Sequence, residues 1–188
     1  MTMVRPAVGP DGRPSGSYEI DGRPDSFIQI RNLGRLDIMK SITISIWIYP
    51  KAAGPIVHYD PRGDGVKIWL VGRDTLMVRY VTRSPRRPLP YLACKVKLWR
   101  WNYISTTYDK KTGIARLYIN RKKVAEKKIG IVDLATNYNI VMGAKPGNTK
   151  RYRGRVSCLQ LYDFALTHRQ VYDARTKCFG RSEYSNIE

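Results

Sequence analysis

Acidic groups are scarce in this chain of 188 residues: 15 Asp and Glu stand against 34 Lys and Arg, a formal charge of +19. Only Glu19, Glu126, Glu183 and Glu188 are glutamates. Cysteine and histidine are rare too, with three and two copies. Cys94, Cys158 and Cys178 have no C-x-x-C spacing, and His58 and His168 lie far apart, which argues against a zinc site. Three cysteines suit one disulfide and one buried thiol. No run of about 18 apolar residues exists, so no membrane-crossing helix is expected. The stretch MTMVRPAVGPDGRPSGSY lacks an apolar signal core; a secreted parent would already have lost its signal segment. There is no N-x-S/T sequon, no G-x-S-x-G nucleophile elbow and no glycine loop of the phosphate-cradling kind. Two large classes of enzyme are thereby removed.

What is present is charge and β-forming sequence. An excess of +19 is not required for folding and opposes compaction by self-repulsion. It points to polyanionic partners: sulfated glycans, nucleic acid or an anionic membrane. Hydrophobic residues make up 43% of the chain, enough for a real core in one domain. Val, Ile, Thr and Tyr are frequent and favour strands. In SITISIWIYP, Ile42, Ile44, Ile46 and Ile48 fall on one face, and Thr43, Ser45, Trp47 and Tyr49 on the other. A period of two predicts a half-buried strand. SFIQIRN, GPIVHYD, GVKIWLVG, TLMVRYVTR, PYLACKVKL, the hairpin from Trp101 to Lys128, NYNIVMGA and GRVSCLQLYDFAL read similarly. About ten strands at spacings of roughly 8–12 residues predict an all-β sandwich or jelly roll. Residues 1–17, rich in Pro and Gly, read as a loose lead-in. The domain then spans 18–179, with a tail at 180–188. Only THRQVYDARTKC reads helical, with Thr167 as cap and Val171 and Ala174 facing inward.

The cations fall in four clusters: Arg83, Arg86 and Arg87; Lys95, Lys97 and Arg100; Arg121, Lys122, Lys123, Lys127 and Lys128; and Lys145, Lys150, Arg151, Arg153 and Arg155. Period two puts Lys95 and Lys97 on one sheet face, and likewise Arg79, Val81 and Arg83. For any one cluster the ordinary reading is a solvated surface or an edge guarded by lysine. Four together point to an anion-binding surface. Arginine's planar fork suits sulfate and carboxylate, and lysine acts as a point charge. The candidate ligand residues are Arg83, Arg86, Arg87, Lys95, Lys97, Arg121, Lys122, Lys123, Lys127, Lys128, Lys150, Arg151 and Arg153, with Tyr152 placed to stack on a sugar ring or else to pack within a strand. Trp47, Trp69, Trp99 and Trp101 sit in or beside predicted strands and do not interleave with the basic loops, which disfavours nucleic acid. Asp60 and Asp64, in HYDPRGDGV, are the best calcium candidates, although Asp serves turns routinely. The RGD tripeptide at 62–64 is explained by the same turn.

Three segments, in order, carry a family resemblance. IDGRPDSFIQIRNLGRLDIMKSITISIWIYP resembles the entry of laminin G-like domains, LWRWNYISTTYDKKTGIARLYINRKKVA their central hairpin, and YRGRVSCLQLYDFALTHRQV their closing strand. The resemblance spans about residues 20–178. It implies the concanavalin A-like jelly roll of two antiparallel sheets, with a short C-terminal helix, in a secreted or cell-surface protein. It also implies a Cys158–Cys178 disulfide, because cysteines stand there in many such domains; Cys94–Cys158 is the alternative. Pentraxin relatives hold calcium in a loop matching GAKPGNTKRYRG, which has no carboxylate here, so that double site is not expected. Glucanases of the superfold need paired carboxyls as E-x-D-x-x-E, which is absent, so the chain is expected to bind rather than catalyse. Three readings follow: recognition of acidic or sulfated glycans such as heparan sulfate (an acidic protein surface being the other anionic partner), a protein–protein adhesion or assembly domain whose charge is incidental, or a calcium-dependent lectin for neutral sugars.

Overall fold

The isoleucine run builds strand β4 (Ile42–Ala52), whose residues 42–48 are all buried. The strand is thus covered on both faces rather than one. Its isoleucine face meets the opposite sheet, and its polar face lies under the C-terminal segment. There, Thr43 Oγ1 donates to Phe164 O at 2.7 Å and accepts from Leu166 N at 2.9 Å. Ser45 and Ser105 hydroxyls bond to each other at 2.8 Å. Polar residues on a buried face are tolerable only when paired in this way. Alternation alone cannot show that a later segment will supply the cover.

The structure, a computed structural model, describes residues 3–60, 65–85, 87–145 and 149–179. Two antiparallel sheets stack. The first contains β1 (Arg5–Ala7), β2 (Ser17–Ile20), β13 (Arg153–Tyr162), β4, β9 (Asn102–Asp109), β10 (Ile114–Ile119) and β11 (Lys122–Lys128), in that order across the sheet. The second runs β3 (Ile28–Ile30), β12 (Asn139–Met142), β5 (Gly54–Asp60), β6 (Lys67–Val71), β7 (Thr75–Arg79) and β8 (Leu92–Lys95). The chain crosses between sheets at Gly54, where φ is +155° and an added Cβ would lie 2.2 Å from Tyr152 N. Only glycine fits there. The all-β jelly roll is therefore as expected.

Residues 5–17 are not a loose lead-in. Arg5, Pro6 and Ala7 pair with Glu19, Tyr18 and Ser17, and Ser157 Oγ donates to Gly16 O at 2.6 Å.

The main core fills the space between the sheets. A second apolar cluster lies on the outer face of the first sheet and includes Trp47, Tyr103, Tyr118, Leu166, Val171, Ala174 and Phe179. It is roofed by α1 (His168–Ala174), which is shorter than the predicted helix. Thr167 caps it: Oγ1 accepts from Gln170 N at 3.3 Å, and Gln170 Oε1 accepts from Thr167 N at 2.9 Å. Cys158 and Cys178 form a disulfide, leaving Cys94 as the free thiol.

Candidate functional site

Strand order decides which cationic loops can meet. The β4–β5, β6–β7, β8–β9, β10–β11 and β12–β13 connections all lie at one end of the sandwich. The β7–β8 loop with Arg83 and Arg87 lies at the other. At the first end, a cavity of about 700 Å³ opens between the β8–β9 and β10–β11 connections. Lys95, Lys97, Arg100, Arg121, Lys122 and Arg175 line it, with Trp101, Asn102, Ile119, Asn120 and Val124. No carboxylate belongs to this wall among the described residues. Parts of two sequence clusters converge here.

The two connections that carry the wall are held by specific contacts. Asn102, buried at the start of β9, accepts from Lys97 N at 3.3 Å and donates to Lys97 O and Arg100 O, each at 2.8 Å. One amide side chain thus sets the 97–100 loop. In that loop Trp99 adopts φ +58°, which is costly for a bulky residue; its N–H donates to Pro50 O at 2.9 Å. The β10–β11 turn is made by Asn120 at φ +55°, a conformation Asn tolerates, and its Oδ1 accepts from Tyr103 N at 3.0 Å. Arg121 lies with its guanidinium carbon 5.3 Å from the Tyr172 ring centre, and its carbonyl accepts from His168 Nε2 at 2.9 Å. The helix α1 therefore braces the turn that carries Arg121.

Arg175 enters from the C-terminal segment. Burial, and then the nearby Arg121 charge, holds its guanidinium below its ordinary pKa, though such a group stays charged. Gathering like charges without a carboxylate among them is unfavourable by itself. An anion in the cavity would offset that repulsion. Lys95 also pairs with Asp74; that exposed ion pair is worth little.

The other candidates are distributed differently. Tyr152 is a correction: it is 0% exposed, packs in the core between the sheets and cannot stack on a sugar. Arg83 pairs with Asp37, its Nε donates to Leu134 O at 3.3 Å, and it pins two loops together at the far end. Its neighbour Val81 is fully buried, so the surface face expected to unite Arg79, Val81 and Arg83 does not exist. Lys123 pairs with Glu126, which also holds Arg116. Lys127 and Lys128 sit at the far end of β11. Lys150, Arg151 and Arg153 share the cavity's end but do not line it. Arg86, Asp64 and the side chain of Asp60 lie outside the described residues. Among the described residues no group of three His, Cys, Asp or Glu could hold a metal ion. Sequence reasoning missed Arg175, which lies in the helical run outside the four cation clusters, and Asn102, whose role exists only through contacts.

The fold and cavity define a two-sheet jelly-roll binding domain. The chain belongs to the concanavalin A-like lectin/glucanase superfamily: its laminin G family model matches residues 21–172. Similar solved structures include the binding domain of Paraclostridial Mosquitocidal Protein 1 (TM-score 0.72, 18% identity, 92% of this chain and 45% of that one). Another is the botulinum neurotoxin serotype G binding domain (TM-score 0.71, 13% identity, 92% and 44%). These likenesses concern the fold, and the chain spans less than half of each of those domains. No curated protein sequence matches it significantly.

Proposed function

We propose that this domain is a non-catalytic extracellular module that binds acidic, sulfated glycans at the cavity. The observation that carries the reading is the wall of six cations around a cavity of about 700 Å³ with no carboxylate among the described lining residues. Three arginines supply planar forks for sulfate or carboxylate, and three lysines supply mobile point charges. Trp101, Ile119 and Val124 offer apolar surface to the carbon face of a sugar. A disulfide suits an oxidising compartment.

The test is retention on immobilised heparin. The wild-type protein is expected to stay bound at physiological salt, because several charges act at once, and to elute as salt rises. The triple variant Lys97→Gln, Arg100→Gln, Lys122→Gln is expected to elute well below it. Elution of the wild type below physiological salt would overturn the reading. Binding abolished by a chelator would favour the calcium-dependent lectin instead.

A further inference from the structure

Along one side of the sandwich β8 of one sheet and β11 of the other are both edge strands and lie beside each other. On β11, residues that pair with inward-facing Ile119, Leu117 and Ala115 are Lys122, Ala125 and Lys127. The shift between Leu117 and Tyr118 leaves Val124 as an extra, unpaired residue, and this brings Lys122 and Lys127, five residues apart, onto the same face. Lys122 and Lys127 therefore face the gap between the sheets, whereas Lys123 and Glu126 face outward and pair with each other. Lys122 lines the cavity; Lys127 lies five residues further along.

At that far point Lys127 meets a residue of the other sheet. Its Nζ is 5.3 Å from the centre of the Tyr91 ring, just before β8. The guanidinium carbon of Arg79, from β7, is 5.4 Å from the same ring. Tyr91 is 45% exposed. Neither Arg79 nor Lys127 forms an ion pair among the described residues. Two cations from different sheets thus share one half-exposed aromatic ring, an arrangement suited to an anionic group beside a sugar face.

We propose that this seam is a second anion subsite, and that the ligand is a chain polyanion running from the cavity along β8 and β11, not a terminal sugar. The proposal rests on the sulfated-glycan reading of the cavity. Lys95 lies four steps of extended strand from Tyr91, about 13 Å. That span is too long for one charged monosaccharide and suits several consecutive units. Linked subsites also gain affinity through effective concentration, so chain length becomes the measurable signature.

The experiment compares a fully sulfated heparin-derived disaccharide with a decasaccharide by calorimetry, on the wild-type domain and on Arg79→Gln/Lys127→Gln. Lys127 is exposed and Arg79 is half-buried, so a thermal melt first confirms that the variant folds. The decasaccharide is expected to bind the wild type much more tightly than the disaccharide, and about tenfold more weakly to the variant, with the disaccharide unchanged. Equal affinity of the two sugars for the wild type, or no loss in the variant, overturns the seam and leaves the cavity reading intact. If the wild type binds neither sugar, the cavity reading fails and takes the seam with it. A single-stranded oligonucleotide of similar charge that binds as tightly as the decasaccharide, and loses the same factor, would assign the seam to nucleic acid instead.

Discussion

The indole N–H of Trp47 donates to the backbone carbonyl of Arg175 at 3.0 Å, while the Arg175 guanidinium lies over the same ring at 5.4 Å. One residue of the central strand thus holds both the backbone and the charge of a cavity wall residue. Core and candidate site meet at this pair.

Trp47→Phe tests the link. It keeps an aromatic in the second cluster but removes the donor and part of a buried volume. The expected cost is about 2–3 kcal/mol, from an unmet buried carbonyl and imperfect repacking. Urea unfolding reads that cost, and heparin elution should shift to lower salt as Arg175 loosens. A stability loss with unchanged elution would show that Arg175 is positioned by something else.

The disulfide closes the segment that carries α1 and Arg175, with a sequence separation of 20 residues. Cys158→Ser/Cys178→Ser is expected to lower stability by about 3 kcal/mol, chiefly by freeing the unfolded chain. The urea midpoint should fall accordingly. An unchanged midpoint would mean the sandwich and Thr167 cap hold the segment alone.

His58 gives a pH signature. It is 2% exposed on β5, and burial, then the charges of Lys145 and Lys67, push its pKa down to about 4. The unfolded chain takes up a proton near pH 6.5, while the folded one resists until about pH 4. Stability is therefore full above pH 6.5 and declines as pH falls toward 4, by up to about 3 kcal/mol. In His58→Gln that part of the decline should vanish. Parallel pH profiles for the two proteins would refute the assignment.

Cys94 is expected to be chemically quiet. Burial pushes its thiol up to about 12, so little thiolate exists at neutral pH. A thiol-disulfide reagent at pH 8 should modify it slowly in the native protein and quickly in urea. Rapid native labelling would contradict its placement against the core.

Local pattern made much of this architecture readable. The isoleucines at 42, 44, 46 and 48 declare a strand, because side chains alternate regardless of what surrounds them. Thr167 declares a helix start, since an N-cap acts on the few residues that follow it. Lys95 and Lys97 share the cavity wall as their shared parity suggests. The same local view failed at Tyr152. A tyrosine between two arginines looks exposed until the chain crossover at Gly54 packs against it.

Sequence alone therefore determined the all-β class, the alternation of β4, the helix start and the excess of positive charge, all set by short-range geometry or composition. Tertiary structure decided the rest: that Trp47 is roofed, that Arg83 is matched by Asp37, and that Arg175 joins Lys97, Arg100 and Lys122. The physical reason is that charge and burial act through space. The ends of a sandwich to which loops return follow from strand order, and strand order is settled only when both sheets close on one core.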